Sequence, residues 1–215
     1  MYIPGAFAVD DPERLQAFLR RHSFATVVSA TADGPFASRV PLLYDADRGP
    51  LGTLIGHVAR ANDHWRLGAE TETLAIFDGP HAYVSPAWYE EPNVVPTWNY
   101  LSVHAAGRLR VRDDRAWLLE IVARMVDLYE AGRATPWRLS SQPDEFIERL
   151  LGAIVGFEIP IDRLEGKWKL SQNHTATRRR RVAAGLRAEG GPDALAIAEM
   201  MEARLAAESG GAEQR

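Results

Sequence analysis

Residues 24–44 read FATVVSATADGPFASRVPLLY. FATVVSA (24–30) and FASRVPLLY (36–44) are rich in β-branched and aromatic side chains, and ADG (32–34) between them supplies the Asp-Gly pair that tight hairpin turns prefer. A hairpin is therefore expected here, and the same kind of strand recurs along the chain. GTLIGHVA (52–59), TLAIFDG (73–79), AYVSP (82–86), NYLSVHAAGRLRVR (99–112) and IVGFEIPIDRLEGKWKL (154–170) all read as strands. Six or seven strands with few helices between them predict a mainly β fold with α elements, a closed or half-open barrel and not a parallel sheet.

Helices occupy the gaps. Asp11-Pro12-Glu13 is a helix start, with Leu15, Phe18 and Leu19 at helical spacing behind it. A short helix is expected from Asn62 through Trp65. A longer one, from Asp113 or Asp114 to Tyr129, carries Trp117, Leu118, Ile121, Val122, Met125 and Leu128 on one face. A third follows Pro143, and two more follow Asn173, split by Gly190-Gly191-Pro192. This predicts a barrel domain over 1–173, helices over 174–208 packed on the barrel or on a dimer partner, and a disordered tail over 209–215.

Composition narrows the chemistry. With 25 Lys+Arg against 29 Asp+Glu among 215 residues, the formal charge is -4, so nucleic-acid binding would need a local basic patch. The chain has no cysteine, which excludes disulfides, thiolate nucleophiles and cysteine-ligated metals. The N-terminus shows neither a basic nor an apolar signal region, and no apolar run reaches the ~18 residues of a membrane span, so a cytoplasmic protein is expected. His57, His64, His81 and His104 lack zinc-ligand spacing, although a haem needs only one axial imidazole. No nucleophile elbow, Walker loop or GxGxxG occurs.

Three stretches carry candidate chemistry. In GHVARANDHW (56–65), Asn62 is placed to cap a helix, and Arg60 beside that helix N-terminus suggests a phosphate site. In VPTWNYLSVHAAG (95–107), Trp98 and Tyr100 share one strand face and Asn99 and Leu101 the other; taken alone, such an aromatic pair reads as core. In GKWKLSQN (166–173), Lys167, Lys169 and Ser171 alternate on one face as a cationic and hydroxyl strip, with Trp168 and Leu170 turned to the core. Arg178 to Arg181 go all the way round a helix, so they read as a solvated helix with one internal salt bridge and not as a DNA-facing stripe.

The order and spacing of GHVARAN (56–62), GPHAYVSPAWY (79–89), VPTWNYLSVHAAG (95–107) and KLSQN (169–173), after MYIPGAF at the start, resemble the PaiB-type family of FMN-binding negative transcriptional regulators across nearly the whole chain. The resemblance implies a Greek-key split β-barrel and a cytoplasmic homodimer with FMN at the subunit interface. It implies a phosphate held by Arg60, Asn62, Lys167, Lys169 and Ser171, with Arg39, Trp98 and Asn99 near the ring. His57, His104 and Tyr100 lie on strands expected to reach the pocket. Asp63 and His64 stand where the family pattern has Pro and a variable residue. A related branch is implied to use haem b and to close an N–N bond in N-hydroxylated ornithine, giving piperazate; there His64 is the first candidate axial ligand and His57 the second. Neither a helix-turn-helix pattern nor a basic charge balance supports direct DNA binding. A small-molecule ligand or substrate is compatible with either cofactor.

Overall fold

A computed structural model describes residues 1–212. The strands are β1 (Ala8–Val9), β2 (Phe24–Thr31), β3 (Gly34–Pro41), β4 (Leu43–Asp45), β5 (Thr53–Ala59), β6 (Glu72–Val84), β7 (Thr97–Arg108), β8 (Arg110–Arg112) and β9 (Ile154–Lys169). The helices are α1 (Pro12–Arg21), α2 (His64–Leu67), α3 (Arg115–Glu130), α4 (Asp144–Gly152), α5 (Ala176–Glu189) and α6 (Pro192–Ala212). Hydrogen bonding orders the strands β3-β2-β6-β7-β9-β5-β4, with β1 and β8 also pairing β9, and this path does not close on itself. The fold is mainly β with peripheral helices, as the strand count predicts. Among the described residues no helix is long and apolar enough to cross a membrane.

Two compact units make up the chain: a first unit of residues 1–15, 78–103 and 165–215, and a second of 16–77 and 104–164. In the second unit the predicted hairpin forms with Thr31 opposite Gly34. The positive φ falls on Gly34 (111°), where a residue with a Cβ would be strained. Side chains of β2 alternate, burying Ala25, Val27 and Ser29. Strand β5 pairs β9 antiparallel from Thr53 opposite Pro160 to Ala59 opposite Ile154. Leu54, Ile55, Val155, Phe157 and Ile159 are buried along that pair, and each large apolar side chain removed from water contributes about 1.5–3 kcal/mol. Helix α3 is capped by Asp114, which accepts from the Trp117 N–H at 2.8 Å. Its Ile121 and Met125 pack on Leu43 and Ile55, while its Leu118 meets Ile147 and Leu151 of α4. Leu128, read as part of that face, is exposed.

In the first unit, β1 pairs β9 with Ala8 opposite Lys167. Helices α5 and α6 pack on each other through Val182, Ala183 and Leu186 and through Ile197, Ala198, Met201 and Leu205, all buried. Gly185 is where α5 meets the short turn Pro86–Tyr89: a Cβ there would lie 2.3 Å from Trp88, so only glycine lets this turn sit close. Some boundaries differ from the sequence reading. Residues 73–79 and 82–84 belong to one strand, β6, because Pro80, although it lacks an N–H, has a φ compatible with extended backbone, while Ser85 and Pro86 open the turn that follows. The expected disordered tail begins inside α6, which continues to Ala212; residues 213–215 lie outside the described residues.

Candidate functional site

The predicted site residues divide between the units. Lys167, Lys169, Ser171, Trp98 and Asn99 lie in the first; Arg39, His57, Arg60, Asn62 and His64 lie in the second.

In the first unit a cavity of about 360 Å³ has Lys169, Ser171, Asn173, His174 and Arg178 on its polar side, with Phe7, Tyr89 and Val94 to Pro96 contributing apolar wall. The alternation expected for 167–171 fails at both ends. Lys167 is buried, donates to the Tyr2 carbonyl at 3.1 Å, and stands 5.1 Å from the Tyr100 ring and 5.6 Å from the Tyr2 ring. It is an internal cation held by a carbonyl and aromatic faces. Strand β9 ends at Lys169, and Ser171 turns into the left-handed region at φ 61°, a strained conformation for a residue with a side chain. The Ser171 hydroxyl donates to Asn99 Oδ1 at 3.1 Å and its carbonyl accepts the His174 N–H at 3.0 Å, which hold it there. Asn99 is itself buried and donates to the Met201 sulfur, so it positions Ser171 from beneath.

Lys169 differs from Lys167. Its ammonium donates to the Thr97 hydroxyl and has further donors on a wall of the cavity. Burial, reinforced by nearby Lys167, pushes its pKa down against an opposing effect of Tyr100. His174 is also shifted toward its neutral form, first by burial and then by Arg178, with Glu91 opposing. A bound anion would relieve both penalties. Arg178 reaches Glu91 through Nε and Nη2 at 3.0 and 2.5 Å and lies over the Tyr89 ring at 5.3 Å. The sequence reading does not single out Arg178, His174 and Tyr89: Arg178 sits within a four-arginine run, and only the fold shows that this member borders the cavity.

That run carries more internal pairing than expected. Arg178 pairs with Glu91, Arg179 with Glu208 and Arg181 with Glu90 and Glu91, while Arg180 is exposed. The aromatic pair of β7 is not core. Trp98 is 52% exposed and packs edge-on against Tyr83 at 5.8 Å.

In the second unit the expected phosphate site is differently employed. Arg60 Nη1 and Nη2 donate to Asp113 at 2.9 and 2.6 Å, Nε donates to the Gly152 carbonyl at 2.9 Å, and Nη2 also reaches the Ile154 carbonyl at 2.8 Å. The guanidinium clasps neighbouring chain. Asn62 Oδ1 accepts the His64 N–H at 3.0 Å, and its amide donates to Ser38 Oγ at 3.0 Å. The helix it introduces is a single turn of four residues, too short to gather much dipole field. His64, the first choice for an axial ligand, is 2% exposed, with Nδ1 2.9 Å from Ser38 Oγ and Nε2 2.9 Å from Ser29 Oγ; Ser29 in turn meets Thr73 at 2.6 Å. Both ring nitrogens have hydroxyl partners in this conformation. His57 is half-buried, its Nδ1 is buried without a hydrogen-bond partner, and burial lowers its pKa. Arg39 is exposed and stacks on Phe24 at 4.9 Å. His104 is half-buried.

The family described as "Putative FMN-binding domain" matches residues 1–163. The sequence is 36% identical over 206 residues, 95% of this chain and 98% of the relative, to the protease synthase and sporulation protein PAI 2 of Bacillus subtilis. It is 29% identical over 254 residues, 95% of this chain and 97% of the relative, to an uncharacterized protein of Aspergillus fumigatus. Among solved structures, a flavocytochrome of Azotobacter vinelandii superposes with a TM-score of 0.55 at 18% identity, covering 75% of this chain and 69% of that one. A FAD and haem binding protein of Mycobacterium smegmatis gives 0.54 at 20% identity, covering 75% and 73%. These likenesses establish the split-barrel fold. Joined to the family match over 1–163 and to the 36% identity with PAI 2, they lead to one conclusion: this chain belongs to the PaiB-type family of FMN-binding split-barrel proteins.

Proposed function

We propose that this chain is an FMN-dependent redox protein that holds the flavin phosphate in the cavity of the first unit and works as a homodimer. The observation that carries the reading is Lys169, a partly buried ammonium with the Thr97 hydroxyl on one side and the cavity on the other. Asn173 adds an amide and Arg178, paired with Glu91, a second positive charge on the same wall, beside the Ser171 hydroxyl that Asn99 holds; such a wall suits a phosphate monoester. Tyr89, Phe7 and the 94–96 segment offer apolar surface for the rest of the ligand. From the larger set expected on sequence, Lys169 and Ser171 serve as contacts and Asn99 as a positioning residue; Lys167, Arg60 and Asn62 hold the protein itself together. Bound flavin would supply hydride or single-electron transfer at its ring, and the chain's part is binding, orientation and exclusion of water. Dimer formation is supported by Trp98, Tyr83 and Val95, exposed at 52, 40 and 73% in the first unit. A direct DNA-binding role has less support, because three of the four clustered arginines are paired with carboxylates.

The test is the absorption spectrum of the purified protein followed by FMN titration of the parent and of Lys169→Glu. Flavin bands in the parent with strongly reduced affinity in the variant are expected; equal affinity would place the phosphate elsewhere. Sedimentation showing a stable monomer at micromolar concentration with FMN bound would remove the dimer. Salt-dependent, sequence-selective DNA binding would restore the regulator reading.

One observation favours haem b as a second reading. Burial lowers the His57 pKa, which favours the neutral imidazole that iron requires, and its Nδ1 has no hydrogen-bond partner. A Soret band lost in His57→Ala and kept in His64→Ala would establish it and redirect the function toward the N–N bond-forming branch.

A further inference from the structure

A second cavity of the first unit, about 420 Å³, lies between β1, the end of β9 and helix α6. Its inner wall is apolar and buried: Val9, Trp168 and Leu170. Its outer wall is a single stripe of α6, Met200, Ala203, Arg204 and Ala207, at the i, i+3, i+4, i+7 spacing of one helix face. The neighbouring stripe, Ile197, Met201 and Leu205, is buried, so α6 packs with one face and borders the cavity with the other. Alanine at 203 and 207 keeps that face open. Gln172 does not fill the space, because its amide is tied back to the Trp168 carbonyl and the Leu170 N–H.

The charge around this cavity is unbalanced. Arg14 lies over the Trp168 ring at 5.8 Å, and Asp11, close by in sequence, turns Oδ1 to the backbone N–H groups of Glu13 and Arg14 at 3.0 and 3.3 Å. Arg204 Nε reaches Glu208 at 3.2 Å, but both oxygens of Glu208 already accept from Arg179, at 3.0 and 2.5 Å. Two arginines, Arg179 and Arg204, therefore share one carboxylate at the α6 side of an apolar hollow, and Arg14 stands over its Trp168 wall. Planar guanidinium groups match a carboxylate through paired N–H donors better than they match water.

We propose that this cavity is a binding site for a small organic carboxylate with an apolar body, its charge between Arg14 and Arg204 and its body against Val9, Trp168, Leu170 and Met200. The site is distinct from the one that takes the flavin phosphate: Trp168 borders one cavity and Lys169, the next residue of the same strand, borders the other.

Isothermal titration of the full chain with phenylacetate, and with 2-phenylethanol as its neutral counterpart, tests this. Saturable binding of phenylacetate is expected, at least about tenfold tighter than the alcohol, and lost to a similar extent in the Arg14→Gln/Arg204→Gln double variant. Ala203→Leu, which fills the hollow without changing charge, should also abolish binding, and the unfolding midpoint of each variant confirms that it is folded. No saturable binding of phenylacetate at millimolar concentration, equal binding of the alcohol, or binding retained in the folded variants would overturn the proposal. None of these readouts depends on FMN, so failure here and failure of the flavin reading are separable.

Discussion

Arg60 of the second unit and Lys169 of the first both read as phosphate ligands in the sequence, yet their surroundings differ. Arg60 is enclosed by acceptors from its own chain: both oxygens of Asp113 and the carbonyls of Gly152 and Ile154. Lys169 donates to one hydroxyl and borders a cavity, with burial and a second lysine pushing its pKa down. A cation whose donors are filled internally fixes structure. One that is desolvated and incompletely paired has binding capacity left, because an incoming anion removes a penalty the fold has already incurred.

The sharpest way to break this contrast is to exchange the consequences of the two sites. Lys169→Glu is expected to weaken FMN binding by roughly 2–4 kcal/mol, since it removes a charge-assisted contact and adds repulsion. Its thermal midpoint should stay close to the parent's, and an unchanged FMN affinity in a calorimetric titration would end the assignment. His64→Ala should do the reverse: removing a ring bonded to Ser38 and Ser29 takes one hydrogen-bond partner from each hydroxyl and leaves a void, for about 2–4 kcal/mol of stability with FMN affinity unchanged. Chemical denaturation read beside an FMN titration separates the two outcomes.

Titration of His64 sharpens the comparison from the second unit's side. Burial lowers its pKa below the ordinary histidine value of 6.5, so the unfolded chain takes up a proton that the folded chain resists. Its contribution is complete above the unfolded pKa and is lost as pH falls below about 6.5, at no more than about 1.4 kcal/mol per pH unit for this one group. The slope of unfolding free energy against pH over that window should shrink in His64→Gln; an identical slope would show that other groups set it. The smallest effect is expected from Arg60→Gln, which loses the paired Asp113 contact at a partly exposed position. The midpoint should drop by a few degrees without a change in FMN affinity, and a loss of FMN binding in that variant would return Arg60 to the phosphate site.

Much of the fold was legible because its signals are local. The Asp-Gly pair before β3, the 3.6-residue apolar period of α3 and the Gly190-Gly191-Pro192 break between α5 and α6 act over a few residues, and each appears where expected. The site was legible only in part. In sequence Ser171 reads as a strand residue, but its φ of 61° removes it from the period-two alternation of a strand. His64 reads in sequence as an available imidazole, whereas Ser29 and Ser38, distant in sequence, meet both its nitrogens.

By itself, the sequence determined the class of fold, the absence of thiol chemistry, the family and a short list of cations and hydroxyls, since composition, periodicity and motif order are properties of the chain alone. Only the tertiary structure decided which of those cations is free to bind. That depends on the acceptors folding brings to each one: Asp113 reaches Arg60 across 53 residues and Glu91 reaches Arg178 across 87, while Lys169 is brought to a hydroxyl and a cavity. A charge's chemistry is set by its partners and its solvent, and long-range packing assigns both.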